Sequence, residues 1–147
     1  RLLDMGLDPF NFADALLCVL AQRLVRRVCA ECKEEYHPEK DEFEELVLAY
    51  GADDFGTLGV KYDDDFVLYR GKGCASCNNS GYRGRSAIHE LLVATDGMKK
   101  LISTRARVAE MVKAAKEEGM ATLVQDGILK VLEGLTDLKQ VKAVAIK

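Results

Sequence analysis

Cys29-Ala30-Glu31-Cys32 and Cys74-Ala75-Ser76-Cys77 are the two stretches that decide the fold of this 147-residue chain. Each is a C-x-x-C pair, and 41 residues separate Cys32 from Cys74. Two intervening residues let the chain turn back so that both thiolates face one ion. Two such pairs complete the tetrahedral four-cysteine shell of structural zinc. The spacing therefore predicts a zinc site formed by Cys29, Cys32, Cys74 and Cys77, with iron as the other metal that four thiolates hold.

Other roles for these cysteines fit the sequence less well. Disulfides within a C-x-x-C pair are strained, and nothing in the sequence resembles a signal peptide. A thioredoxin-like redox motif uses one such pair in a βαβ setting, whereas this chain has two pairs outside such a unit. Coincidental core cysteines do not explain the paired spacing. Because four thiolates leave no open position for water, the pattern indicates a structural metal and no catalytic residue.

The composition is that of an ordinary soluble globular protein, with 48% hydrophobic and 31% charged residues. No apolar run approaches the roughly 20 residues of a membrane-spanning helix. With four of the five cysteines assigned to a metal, we expect a reducing cytoplasm and a buried Cys18. Because the chain begins at Arg1, directly on a helical phrase and without a methionine, we expect it to be a fragment of a longer protein.

The net charge of −3 hides an uneven distribution. Residues 31–65 contain 13 acidic and 3 basic residues, a local balance of −10, which we call the acidic segment. Arginines lie close in sequence to the cysteine pairs, and they are Arg23, Arg26, Arg27, Arg83 and Arg85. They are compatible with a nucleic-acid patch, but the acidic segment would repel phosphates. We therefore expect no nucleic-acid partner, and arginines that offset the charge of the metal centre.

Periodicity predicts mixed helix and strand. In the first half we expect a helix end at residues 1–5 stopped by Gly6, a helix at 10–17, a strand at 19–28 whose tail has a helical alternative, a helix at 39–50 and a loop at 51–65. In the second half we expect a strand at 66–69, a tight hairpin or extended pair at 82–92, and helices at 96–104, 107–118, 123–133 and 138–144. The expected caps are Asp96, Thr122 and the pair Thr136-Asp137.

Several phrases together resemble the C-terminal part of the ATPases that drive type II secretion and type IV pilus assembly, the GspE/PilB family. They occur in the family's order and span nearly the whole chain: RLLDMG at 1–6, DPF at 8–10, AQRLVR at 21–26 before the first cysteine pair, GYRGR at 81–85 after the second, IHEL at 88–91, DG at 126–127 and VLEGLT at 131–136.

The resemblance implies an α+β protein in three parts. Residues 1–28 would be the tail of a RecA-like α/β ATPase core, 29–90 a zinc-stabilised tetracysteine subdomain with short strands, and 91–147 a helical C-terminal subdomain. Family members work as cytoplasmic hexamers on inner-membrane platform proteins, without inserting into the membrane themselves. ATP and Mg²⁺ belong to the full-length protein, because this chain contains no G-x-x-x-x-G-K-[ST] loop to cradle phosphates.

Four further residues invite functional readings. His37 and His89 are not needed beside four thiolates, although His37 is the better candidate for a three-cysteine, one-histidine site. Arg23 and Arg26 lie in the phrase that belongs to the ATPase core, so nucleotide contact and simple exposure are both open. As an alternative to the secretion or pilus module, we consider an autonomous zinc-ribbon adaptor that binds protein or nucleic acid, whose cysteine pairs usually lie closer together, roughly 15–20 residues apart.

Overall fold

The computed structural model describes residues 1–145, which form α-helices and short β-strands. The helices are α1 (Pro9–Ala15), α2 (Lys40–Tyr50), α3 (Ala52–Gly56), α4 (Asp96–Ser103), α5 (Val108–Glu117), α6 (Leu123–Leu132) and α7 (Leu138–Ala145). The strands are β1 (Cys18–Val28), β2 (Lys33–Tyr36), β3 (Leu68–Gly71) and β4 (Tyr82–Val93), and Leu3–Met5 and Ala75–Cys77 form short 3-10 helices. β1 pairs with β4, and β2 pairs with β3. This mixture, with a helical C-terminal part, confirms the predicted α+β class.

The chain divides into two compact units, and each unit combines two distant segments. Unit 1 contains residues 1–21 and 90–122, and unit 2 contains residues 22–89 and 123–147. The three parts expected from the resemblance, 1–28, 29–90 and 91–147, follow the order of the sequence and stay a prediction. The end of the third part falls on Ile146 and Lys147, which lie outside the described residues.

Unit 1 is built around a small apolar core. The buried members of this core are Ala13, Met98, Ile102 and Ala115. α1 begins after Asp8, whose carboxylate accepts a hydrogen bond from the backbone N–H of Asn11. α4 begins after Thr95, whose hydroxyl accepts from the N–H of Met98. The cap of α4 is therefore Thr95, one residue before the expected Asp96.

Unit 2 contains a larger apolar core. Its buried members are Leu46, Leu68, Ile128, Val131, Leu138 and Val141. Helices α6 and α7 approach closely where α6 carries Gly127, since an added Cβ there would lie 2.6 Å from Val141 Cγ1. α7 is capped by Asp137, whose carboxylate accepts from the N–H of Gln140 at 2.9 Å, as predicted. α2, predicted as a helix at 39–50, contributes the fully buried Leu46.

The long strands agree with the sequence in one case and correct it in the other. β1 covers Cys18–Val28 and confirms the strand predicted at 19–28 over its helical alternative. β4 is one continuous strand over Tyr82–Val93, so of the two alternatives expected at 82–92 the tight hairpin is wrong and the backbone is extended. Gly84 does adopt a positive φ of 82°, but it does so inside the strand. Because β1 is long enough to pair with β4, the backbone continues and does not reverse at this glycine.

Three local expectations were wrong. The loop expected at 51–65 contains helix α3, which buries Phe55 against the aromatic rings of Phe43 and Tyr50. Strand β2 was not expected at all, and it pairs antiparallel with β3 with Lys33 opposite Gly71. Cys18 is exposed and not buried, because it begins β1, where the first three side chains are all exposed.

The helices are short. α2 has 11 residues, and no helix formed by residues 1–145 is long and apolar enough to span a bilayer.

Candidate metal centre

Four cysteine sulfurs converge in unit 2. The Sγ atoms of Cys29, Cys32, Cys74 and Cys77 all lie within 4.8 Å of one another. The Cys29–Cys74 and Cys32–Cys77 sulfur distances are both 3.8 Å, and the Cys74–Cys77 distance is 3.7 Å. Zinc–thiolate bonds of about 2.3 Å in a regular tetrahedron place the sulfurs about 3.8 Å apart. The four thiols are free and therefore can hold one metal ion at their centre.

Each of these cysteines lies in a turn that directly follows, directly precedes or connects strands. Cys29 directly follows β1 and is fully buried, and Cys32 directly precedes β2. Cys74 lies three residues after β3, and Cys77 ends the 3-10 helix that leads toward β4. A metal ion in this position would join the ends of all four strands. These strands belong to two sheets that share no strand.

Backbone N–H groups point at two of the sulfurs. Gly73 donates to Cys32 Sγ at 3.3 Å, while Cys74 and Gly81 donate to Cys77 Sγ at 3.3 Å and 3.2 Å. Burial raises the pKa of the Cys77 thiol, but the two N–H donors, together with hydrogen bonds from the Cys74 and Cys32 side chains, outweigh it and lower this pKa to about 6. Burial raises the pKa of Cys32 to about 11, which its single N–H donor only partly opposes. Metal ions bind the deprotonated thiolates, so binding is coupled to proton release.

Two glycines allow the cysteine turns to approach each other. A Cβ added to Gly71 would lie 1.9 Å from the carbonyl oxygen of Gly81, and one added to Gly81 would lie 2.6 Å from the oxygen of Gly71. The contact is backbone to backbone, so no side chain fits at either position. The N–H of Cys29 also donates to the Gly81 oxygen at 2.9 Å. The sequence did not predict this contact, although the position of Gly71 just before the second cysteine pair and of Gly81 just after it could have indicated it.

Charged side chains near the centre have different neighbours. Arg83 forms an ion pair with Glu31 at 3.4 Å, and both side chains are exposed. The guanidinium of Arg26 lies over the ring of Tyr82, 4.7 Å from its centroid. Arg23 donates to the backbone carbonyl of the preceding residue at 2.8 Å. Arg23 and Arg26 therefore make local contacts within this chain.

The two histidines lie outside the cysteine cluster. His37 Nδ1 is 2.8 Å from the carbonyl oxygen of Phe66, and its ring stacks on Tyr62 with 5.2 Å between centroids. The backbone N–H of His89 donates to Asp126 at 2.8 Å. Among residues 1–145, the group of side chains placed to hold a metal consists of the four cysteines.

Comparison with known proteins gives matches along the whole chain. Residues 1–143 match the family described as type II/IV secretion system protein. The type IV pilus assembly ATPase PilB of Thermus thermophilus is 42% identical over 147 residues, which is 100% of this chain and 15% of that protein. The type II secretion system ATPase E of Vibrio cholerae is 39% identical over 144 residues, 98% of this chain and 26% of that protein. The type II secretion system protein E of Pseudomonas aeruginosa is 40% identical over 141 residues, 96% of this chain and 26% of that protein.

The chain thus spans between 15% and 26% of the length of these relatives. The family match extends from the first residue to beyond the start of α7, and it includes both cysteine pairs. It agrees with the order of phrases found in the sequence on either side of those pairs. The chain therefore belongs to the type II/IV secretion system protein family, whose relatives above include ATPases of pilus assembly and of type II secretion.

Proposed function

We propose that this chain is the zinc-binding C-terminal module of a hexameric ATPase that powers type II protein secretion or type IV pilus assembly. The observation that carries the proposal is the convergence of four cysteine sulfurs at tetrahedral spacing in a chain of this family. We assign Cys29, Cys32, Cys74 and Cys77 as the zinc ligands. We assign ATP, Mg²⁺ and hydrolysis to the complete protein, and no catalytic residue to this chain.

The role we propose for the zinc is structural. Four thiolate ligands leave no open coordination position, so the ion would neither activate water nor bind substrate. It would fix the ends of four strands that are otherwise joined by few hydrogen bonds between the cysteine turns, such as Lys72 N–H to Cys32 O at 3.1 Å. In small metal-binding folds the free energy of metal binding is in large part free energy of folding.

The metal assignment is tested by elemental analysis of the purified chain after extensive dialysis. We expect close to one equivalent of zinc per chain. Cobalt substitution should add the thiolate-to-cobalt charge-transfer absorption that four-sulfur sites produce. Iron in place of zinc, or a well-folded protein without metal, would contradict the assignment.

The second part of the proposed function is docking. The acidic segment carries a net charge of −10. Its carboxylates repel one another, and this favours contact with a basic surface. Within residues 1–145, Asp41 and Glu44 are exposed on α2 and form no ion pair or hydrogen bond through their side chains. Glu45, in contrast, forms an ion pair with Lys142. We propose that the exposed carboxylates contact other subunits of the hexamer or the inner-membrane platform proteins, and that the protein works in the cytoplasm at the membrane through these partners.

Charge reversal tests the docking role. The double variant Asp41→Lys and Glu44→Lys should weaken the capture of other subunits or of the platform protein. The loss should depend on salt, since exposed charges act mainly on the association rate. Zinc content and melting temperature should stay at the level of the unmodified chain. Full capture of the partner by the reversed variant at low salt would show that the acidic segment is only a solvated surface.

The zinc-ribbon adaptor remains the less supported alternative. The family match over residues 1–143 favours the secretion or pilus module, as does the 41-residue separation of the cysteine pairs. That separation accommodates α2, α3, β2 and β3, which is more structure than a compact ribbon holds.

A further inference from the structure

A surface cavity of about 460 Å³ in unit 2 is lined by Arg26, Tyr82, Gly84 and Arg85, and we call it the arginine pocket. The hydroxyl of Tyr82 donates to Asp137, which fixes the ring against which Arg26 stacks. Gly84 has no side chain to occupy the cavity, and an added Cβ there would meet only Arg27 Cδ, at 3.8 Å. Both guanidinium groups are therefore presented on a partly ordered surface, and Arg26 loses little freedom on binding an anion.

The arginines of this pocket lack anionic partners within residues 1–145. Arg26, Arg85 and the adjacent Arg27 take part in none of the ion pairs that these residues form. Arg83, on the same strand as Arg85, does pair with Glu31. Two guanidiniums without an ion-pair partner that line one cavity, in a protein of net charge −3, indicate a surface that recognises an anion from another molecule.

Helix α2 carries the complementary surface. Asp41, Glu44 and Leu48 are spaced three and four residues apart, so they lie on one face of the helix, and we call them the acidic stripe. Leu48 is 80% exposed, whereas Leu46 on the inner face is fully buried. Leu48 therefore ends a row of unpaired carboxylates on this face. Such a surface is suited to contact arginine and aromatic residues, which are the residue types most enriched at the centres of protein interfaces.

We propose that the arginine pocket of one copy of this protein binds the acidic stripe of a second copy. Carboxylates fit the planar guanidinium fork in a bidentate geometry, and the pocket presents two such groups. Pocket and stripe are different surfaces, so the contact is head to tail, as in ring assemblies. Every copy carries both halves, which is why we favour a second copy over an unrelated basic protein. This inference rests on the docking role proposed above and names its partner.

The test is a charge swap followed by sedimentation velocity on the full zinc-loaded chain. The unmodified chain should associate at low salt and dissociate at high salt. Arg26→Glu with Arg85→Glu should weaken association at least tenfold, and Asp41→Lys with Glu44→Lys should do the same. An equimolar mixture of the two variants should restore association. The glutamate pocket of one variant then meets the lysine stripe of the other with exchanged signs, and the native arginine pocket meets the native acidic stripe.

Controls separate this inference from non-specific charge and from misfolding. Glu35→Lys with Asp64→Lys changes the net charge equally at two other exposed acids, and it should leave association within twofold of the unmodified chain. Zinc content and melting temperature report folding of each variant, and restoration in the mixture is itself evidence that both are folded.

The second-copy proposal would be overturned by a chain that stays monomeric at low salt and high concentration, by a mixture that fails to associate, or by an equal loss in the control variant. Saturable binding of inorganic phosphate that Arg26→Glu removes, without self-association, would make the pocket a small-anion site and also overturn it. Loss of platform-protein capture on reversal of the acidic stripe, with no effect of reversing the pocket, would keep the docking role and reject the second copy.

Discussion

Removing the second cysteine pair measures how much a metal stabilises unit 2. The double variant Cys74→Ser and Cys77→Ser eliminates two of the four sulfurs, and 41 residues separate Cys32 from Cys74. The loss of conformational entropy on closing a loop of this length corresponds to about 4 kcal/mol in cross-linked chains. For a unit of this size, that free energy lowers the melting temperature by about 20 °C. We therefore expect a destabilised protein whose secondary structure is retained well below the new transition.

The assay is thermal unfolding followed by circular dichroism, combined with limited proteolysis. Cleavage should begin within α2 and α3, which lie between the two cysteine pairs. Cys18→Ser is the matched control, because it makes the same chemical change at an exposed cysteine outside the cluster, and it should leave the melting temperature unchanged. A chelator added to the unmodified chain should reproduce the effect of the double variant. An unchanged melting temperature after both treatments would refute a structural role for the metal.

Three further predictions concern a glycine contact, the titration of a tyrosine and the binding of nucleotide. Gly71→Ala should lower the free energy of unfolding by at least about 2 kcal/mol and weaken metal retention, because its Cβ would overlap the Gly81 oxygen. Gly56→Ala is the control, since its Cβ would enter open space, and denaturant unfolding with metal analysis compares the two variants. Burial and the neighbouring Glu42 raise the pKa of Tyr36, so its contribution to the free energy of unfolding should be constant below the ordinary tyrosine pKa near 10 and fall as pH rises above it. Tyr36→Phe should reduce that fall when unfolding is measured as a function of pH. Calorimetric titration with magnesium-ATP should show no measurable binding to this chain, because its sequence contains no phosphate-binding loop. A micromolar dissociation constant would contradict this prediction.

The convergence of the cysteines was predictable, because two residues between cysteines leave the chain few ways to turn. The strand β1 was predictable for a similar reason, since its β-branched and leucine content favours an extended backbone. The N–H donors to the sulfurs were not, because Gly73 and Gly81 come into place only when the two turns are folded together. Whether the ligand set binds zinc in solution stays a prediction.

The missed elements depend on contacts that are distant in sequence. β2 consists of Lys33–Tyr36, which has no alternating apolar pattern, and it is a strand because β3 provides its backbone partners. α3 is only five residues long and contains a glycine and two aspartates, all of which favour loops, and Phe55 anchors it in an aromatic cluster. Cys18 was misjudged because residue type alone does not tell which end of a strand remains uncovered.

The two-segment construction of unit 2 limits how this region can be transplanted. A contiguous piece covering residues 29–90 would carry both cysteine pairs with Leu46 and Leu68, but it would lack the apolar faces of α6 and α7 that complete their core. Such a piece would expose a large apolar patch and tend to aggregate. Gly134 shows how closely the segments are fitted, since an added Cβ there would lie 2.8 Å from Tyr69 Cδ2. A chimera between relatives, or a natural recombinant, must therefore take the cysteine-bearing segment and the last two helices from the same parent, although they are separate in the sequence.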